Sequence, residues 1–210
     1  MAGLLSNFRN TLILSVVLAL VMIFSFGQAS AGGFDIVFWE AVLRWSHVFF
    51  GILWIGLLYY FNFVQIRVMP AIPAELKPAV GKHIAPEALF WFRWSALFTV
   101  LAGLSVALVK SVNQPEYIHE VLTLGLAGGY GDGQARWTLM GVGVWLAVIM
   151  FLNVWGLIWP NQKIALGIKE GYDADAKAQA AKTAMLFSRT NLLLSLPMLT
   201  SMAMYQTLFD

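Results

Sequence analysis

Two charges and a histidine lie on one face of a predicted membrane-spanning helix. Glu40, Arg44 and His47 are spaced four and three residues apart, and Gly51 and Trp54 continue the face, since a helix stacks residues at this spacing. Ionisable groups at membrane depth are costly and mostly face a bundle interior or a wet cavity. The pattern predicts a catalytic relay of protons or electrons; a purely structural ion pair is the alternative.

His47 has three roles open to it: ligand of a b-type haem, relay, or hydrogen-bonding partner within the stripe. Gly51, one turn away, would let a porphyrin approach the backbone. His83 and His119 are predicted in an inner and an outer loop, so His119 is the nearer candidate for a second ligand. The chain has no cysteine, which excludes covalent haem c, thiolate metal sites and disulfides. Three scattered histidines predict no metal site.

A second polar group gathers at the cytoplasmic ends of the predicted spans. Guanidinium groups bind planar anions through a bidentate fork, and amides can read the donors and acceptors of a heterocycle. The residues predicted to bind such a ligand are Asn62, Arg93, Asn153, Asn161 and Arg189. In the alternative reading the arginines reach lipid phosphates and the amides hold helices together.

The composition is that of an integral membrane protein. Of the 210 residues 60% are hydrophobic and 11% are charged, whereas a soluble domain carries about 25% charged residues. The net charge of +2 is too small to suggest a nucleic-acid partner. The chain is therefore expected to sit in a lipid bilayer.

Five apolar stretches are long enough to cross a hydrocarbon core, which needs roughly 20 helical residues. They are residues 12–31, 34–68, 86–110, 137–159 and 184–209. The fold class is thus an all-α membrane bundle in one domain, residues 1–210. The first stretch is similar to a secretory signal, but we expect it to be retained as an anchor helix (1–33) beside a four-helix region (34–210).

The basic residues indicate how the bundle is oriented. Ten of the 13 lysines and arginines fall in or beside the segments predicted on the same side of the membrane as the N-terminus. The other three, Arg44, Lys110 and Arg136, fall in the opposite half of the bundle. Positively charged loops stay in the cytoplasm. The N-terminus is therefore predicted inside and the C-terminus outside.

Three connecting segments are longer than the others. Residues 69–85 carry three prolines and are predicted to form an inner loop. The outer loop 111–136 ends in a glycine-rich turn at 127–133, which lacks the pattern of a phosphate-binding loop. Residues 161–182 alternate charged and small side chains and are predicted to form a solvated inner helix.

Several short motifs occur together in order. They are LRWSHV (43–48), GILWIG (51–56), YYF (59–61), ALFWFRW (88–94), NVW (153–155), WPNQK (159–163), SRTN (188–191) and SLPM (195–198). In this combination the chain resembles the membrane domain of bacterial cytochrome-linked urate oxidases, or urate hydroxylases. That resemblance implies urate oxidation in the bacterial inner membrane, with electrons passed to a cytochrome c domain. No haem c motif occurs here, so a separate cytochrome c is expected to accept them.

Two functional hypotheses follow. In the first, a membrane redox protein binds urate between Arg93 and Arg189, Asn62, Asn153 and Asn161 orient it, and the stripe on residues 40–47 relays protons or electrons outward. In the second, the chain is a non-catalytic accessory subunit of a larger respiratory or photosynthetic complex. A transporter ranks third, because neither a repeat nor a pair of broken helices is evident.

Overall fold

The computed structural model describes residues 2–127 and 134–209, and within them every regular element is helical. Five helices are long and apolar enough to cross a membrane: α1 (Phe8–Ala29), α2 (Ile36–Ala71), α3 (Lys77–Asn113), α5 (Gln134–Ala165) and α6 (Ala174–Phe209). A short helix α4 (Tyr117–Leu122) lies between α3 and α5. The predicted all-α fold is confirmed for these residues, and the length and composition of the five helices are those of a multi-pass membrane protein. Of the predicted glycine-rich turn, all but Ala127 lies outside the described residues.

The inner loop between α2 and α3 is shorter than predicted. Helical structure continues to Ala71 and resumes at Lys77, so the predicted loop 69–85 shrinks to a few residues. Pro78 lies in the first turn of α3, where proline is tolerated because its missing N–H would have no helical acceptor. Its prediction as a loop residue was wrong. Pro86, predicted to begin the third span, lies farther along α3, just after a π-helical turn at Val80–Ile84.

Residues 161–182 do not form the single solvated helix that was predicted. Helix α5 ends at Ala165, and the chain turns through Gly167 and Gly171, whose φ angles are +71° and +89°. Asp173 then caps α6, because its Oδ1 accepts a hydrogen bond of 2.7 Å from the Ala176 amide. Helix α6 therefore extends ten residues before its predicted membrane stretch.

Helix α2 packs along α3, α5 packs along α6, and the two pairs form the bundle. We name the end of the bundle with the α2–α3 and α5–α6 turns the inner end, after its predicted orientation, and the opposite end the outer end. The core of the inner half is a cluster that includes Trp54, Leu58, Phe92, Met150 and Val154, each at most 2% exposed. A smaller cluster in the outer half is formed by Tyr117, Val121, Trp137, Met140 and Tyr205.

Two glycines of α5 allow its neighbours to approach closely. A Cβ at Gly141 would collide with the Val121 carbonyl of α4, and one at Gly143 would collide with Ser201 of α6. The Ser201 hydroxyl donates a hydrogen bond to the Leu139 carbonyl of α5. Small residues and interhelical hydrogen bonds are the usual means of joining helices in lipid, where tails are as apolar as side chains.

Helix α1 stands largely apart from the bundle. Its one buried residue is Gly27, which lies against the ring of Phe38 on α2. Phe24 adds an edge contact to Phe34 and a tilted contact to Phe38, with ring centroids 6.1 and 6.3 Å apart. A cleft of about 440 Å³ opens between α1 and α2. The position of α1 suits an anchor helix, and the division at residue 33 stays a prediction.

Candidate functional site

Helices α2 and α5 each contain a wide, π-helical turn in the inner half of the bundle. The turn Tyr60–Gln65 interrupts α2, where the Ile66 amide donates to the Phe61 carbonyl five residues back. The turn Asn153–Ile158 interrupts α5 in the same way. Both pack against α6. Single π turns inside α-helices are rare and concentrate at functional sites.

Asn62 links the first wide turn to α6. Its Nδ2 donates to the Ser188 hydroxyl at 2.9 Å and to the Leu58 carbonyl of its own helix at 2.9 Å. Its Oδ1 is buried and has no donor among the described residues. The side chain is therefore held in place by its nitrogen and presents an unused acceptor.

Asn153 links the second wide turn to α6. Its Nδ2 donates to Asn191 Oδ1 at 2.9 Å, and Asn191 Nδ2 donates to the Met150 carbonyl at 2.9 Å. Asn191 is fully buried. These bonds satisfy a carbonyl one turn before the π turn, so this pair serves to fix the wide turn against α6.

A cavity of about 110 Å³ lies beside the first wide turn, between α2, α3, α5 and α6. Its polar lining comes from Gln65, Gln162 and Ser188, and the remaining walls are apolar. Gln65 Oε1 is buried without a donor in the part of the chain that the structure describes. An unpaired buried acceptor costs about 1–3 kcal/mol. The cavity thus favours an occupant that carries N–H or O–H groups, and a few waters or part of a small ligand would fit.

Arg93 of α3 stacks on Trp159 of α5. Its guanidinium carbon lies 3.9 Å from the ring centroid of Trp159, and it directly follows Phe92, which lines the cavity. Phe90 is 5.3 Å away on the same helix. The described hydrogen bond of Arg93 is a long one of 3.5 Å to the Leu89 carbonyl. Arg93 thus provides a half-buried positive charge, held by stacking on Trp159 directly after the wide turn of α5.

The five residues predicted to bind the ligand are only partly brought together. Asn62, Asn153 and Arg93 lie around the inner half of the bundle, as described. The Asn161 amide instead donates to the Leu157 carbonyl of its own helix at 2.8 Å, and Arg189 lies on the exposed surface of α6. Ser188, its neighbour, faces the cavity. The binding roles of all five stay predictions.

The charges of the stripe form a cluster at the outer end of the bundle. Glu40 pairs with Arg44 one turn away and with Lys110 of α3, whose Nζ lies 3.9 Å from the carboxylate. Lys110 also lies 5.4 Å from the ring of Tyr117 and 5.8 Å from that of Tyr205. One carboxylate and two cations thereby connect α2, α3, α4 and α6, which supports the structural alternative for Glu40 and Arg44.

His47 is held separately from these charges. Its Nδ1–H donates to the Thr99 carbonyl of α3 at 2.8 Å, and its ring lies over Gly103, where a Cβ would be 2.9 Å from the ring. In the neutral ring this leaves Nε2 as an acceptor, able to take a proton or bind a metal.

A haem at His47 stays a prediction. His47 lines neither of the two cavities described above. His119, on α4, is exposed and lies 3.8 Å from the Glu120 carboxylate. Among residues 2–127 and 134–209, no three His, Asp or Glu side chains are grouped closely enough to hold a metal ion.

The residues predicted to bind the ligand did not include Gln65, Gln162 and Ser188. Their signal was position, because each lies at the inner end of a span. No family model, curated protein or solved structure matches this chain. The geometry of the inner cavity and the motifs of the sequence are therefore what point to a function.

Proposed function

We propose that this protein is a membrane redox protein that oxidises a small planar anion at the inner cavity, with urate the favoured substrate. The observation that carries the proposal is the buried Gln65 oxygen in the lining of a cavity at a π turn, which has no donor among the described residues. The Asn62 oxygen, on a side chain bonded to Ser188 of the same lining, also has no donor there. The motifs that resemble bacterial urate oxidases fall on the same helices.

The chemistry of urate matches the groups around the cavity. At neutral pH it is a planar anion with several ring N–H donors and ring carbonyl acceptors. Its N–H groups suit the free oxygens of Asn62 and Gln65, and its carbonyls suit the Gln162 amide and the Ser188 hydroxyl. Its negative charge suits Arg93. The flexible side chains that line the cavity, including Met185, would move aside to admit the ring.

Oxidation removes electrons and protons from the ring, and both have to leave the site. We assign the electrons to a separate cytochrome c on the outer side, which takes them one at a time. The stripe of Glu40, Arg44 and His47 would carry protons or electrons in that direction, and the free Nε2 of His47 supports a proton-accepting role. The distribution of basic residues supports an N-in orientation in the bacterial inner membrane, with the cavity near the cytoplasm.

The first test is urate binding to the purified protein, measured by equilibrium dialysis with labelled urate. Gln65→Leu should weaken binding about tenfold, because a hydrogen bond to a bound ligand is lost. The same change should leave the melting temperature unchanged or raise it, since it removes an unpaired buried oxygen. Gln206→Leu, at an exposed position of α6, is the matched control.

Wild-type protein that binds no urate would refute the proposal. Equal affinities of the wild type and Gln65→Leu would remove Gln65 from the site. A positive binding result would be followed by urate-dependent reduction of ferricytochrome c in vesicles that contain the protein.

One observation favours the second candidate function, a non-catalytic subunit of a larger membrane complex. Helix α1 has a single buried residue, Gly27, and an open cleft separates it from α2. A partner helix in that cleft would explain the separation. In that case the wild type would bind no urate, and the chain extracted gently from its native membrane would migrate at several times its mass of 23.3 kDa.

A further inference from the structure

We infer that Lys163 and Arg93 form one anion-binding site at the Trp159 ring, which both cations contact. The identity of its ligand rests on the proposed function. Arg93 lies 3.9 Å and Lys163 lies 5.7 Å from the centroid of the Trp159 ring. A single indole from α5 therefore brings together a cation of α3 and a cation of its own helix.

Each of the two cations directly follows a residue that lines the inner cavity. Arg93 directly follows Phe92, and Lys163 directly follows Gln162; Phe92 and Gln162 both line the cavity. Consecutive helix residues are about 100° apart around the axis, so each cation lies on the neighbouring face of its helix. Both cations thus lie outside the lining of the cavity, at the same end of the bundle.

Neither cation is neutralised within the described residues. The ion pairs there engage Arg44 and Lys110, which share Glu40, and His119 with Glu120. Arg93 and Lys163 are both half-buried, and the hydrogen bond of Arg93 to the Leu89 carbonyl is 3.5 Å long. A guanidinium offers five N–H donors and an ammonium three, so most of their donors remain available. Two adjacent cations with free donors favour an anion between them.

The shared chemistry of the ligand is an anionic group with planar or tetrahedral oxygens. Two sources are available at the inner end of a membrane bundle: a soluble planar anion that enters the cavity, or the phosphate of an acidic lipid. Both ligands offer the anionic oxygens that the donors of Arg93 and Lys163 require. In either case Lys163 is a charge-binding residue that adds to Arg93, and urate binding and lipid retention distinguish the two sources.

The test compares Lys163→Gln with Lys169→Gln. Lys169 is a matched control because its Nζ lies 5.4 Å from the ring of Tyr172, at an exposed position away from the lining of the cavity. In nanodiscs of neutral lipid, Lys163→Gln should weaken urate binding about tenfold, since a charge-assisted hydrogen bond is lost. Lys163→Arg should restore it, and Lys169→Gln should match the wild type. Arg93→Lys keeps the charge and should weaken binding through loss of the bidentate fork.

The outcomes separate this inference from the proposed function. If the wild type binds urate and Lys163→Gln binds it equally well, the inference is overturned and the proposed function stands. If the wild type binds no urate, the proposed function fails, and retention of phosphatidylglycerol, measured by native mass spectrometry, decides the inference. Retention that falls severalfold in Lys163→Gln but not in Lys169→Gln supports a headgroup site; equal retention in all three overturns it.

Discussion

Gly103 is the residue that allows His47 to reach the backbone of α3. The imidazole lies over its Cα, and the ring donates to the Thr99 carbonyl one turn earlier on the same helix. Ser or Ala at this position would occupy the space of the ring. The hydrogen bond of His47 thus depends on a residue that carries no side chain.

Gly103→Ala should displace the His47 ring, because the added Cβ would lie 2.9 Å from two of its atoms. We expect the free energy of unfolding to fall by roughly 1–3 kcal/mol, as for other overpacked cores. Reversible unfolding in mixed micelles measures this change. Gly56→Ala is the control, since a Cβ there meets nothing within 4 Å. Equal stability of both variants would show that the position of the His47 ring does not depend on the absence of a side chain at Gly103.

For a single residue, the sequence predicts the helical face on which the side chain lies better than it predicts the groups that the side chain contacts. The spacing of Glu40, Arg44 and His47 predicts a common helical face, and the ion pair of Glu40 with Arg44 agrees with it. The same spacing cannot predict that His47 bonds to Thr99, because that contact depends on how α3 is aligned with α2. Likewise it cannot decide between Ser188 and Arg189, since neighbours on a helix point about 100° apart.

The wide turns are features of whole elements, and the sequence gives little sign of them. A π turn contains one residue more than an α turn, and residues around Tyr60–Gln65 have the same apolar character as the helix before them. What fixes the turns is tertiary: the bonds from Asn62 to Ser188 and from Asn191 to the Met150 carbonyl. Buried partners on α6 therefore specify a local geometry that hydrophobic periodicity does not encode.

Deletion of Val64 tests the role of the first wide turn. Val64 is 49% exposed, so its loss leaves no buried hole. With one residue fewer the turn can close to an ordinary α turn, and Asn62 and Gln65 become two residues apart, a spacing at which side chains do not share a face. We expect urate binding to fall by about tenfold, the worth of one lost hydrogen bond, with the protein still folded in the membrane.

Val64→Ala keeps the length of the turn and is the control for the deletion. It should bind urate like the wild type. If the deletion variant also retains full affinity and melts at the same temperature, the wide turn has no part in forming the site.

At the scale of the molecule, hydropathy predicts the number of spans but not the ends of the helices. All five predicted stretches lie on helices, yet α3 has 37 residues and α6 has 36. At about 1.5 Å per residue such helices reach on the order of 55 Å, well beyond a hydrocarbon core of about 30 Å. Their polar ends continue into the interfacial region, where helices need not be apolar. Hydropathy therefore does not predict where these helices end. These extensions carry Lys82, Lys163 and Lys177 at the end of the bundle that holds the inner cavity.

The orientation of the bundle decides which compartment supplies a ligand to that cavity. Because the chain has no cysteine, one introduced cysteine is a unique label. Lys82→Cys places the label near the start of α3, and Glu116→Cys places it just after the end of α3. Both positions are exposed. With the N-terminus inside, a membrane-impermeant maleimide should label Glu116→Cys in intact spheroplasts, and should label Lys82→Cys only after permeabilisation.

Lys169→Cys, in the turn between α5 and α6, should behave like Lys82→Cys and serves as the second inner position. The reverse pattern would place the cavity, Arg93 and Lys163 on the outer side of the membrane. A substrate would then arrive from outside, and the cluster of Glu40, Arg44 and Lys110 would face the cytoplasm, on the opposite side from an external cytochrome c. The labelling pattern therefore tests the direction of electron flow that the proposed function requires.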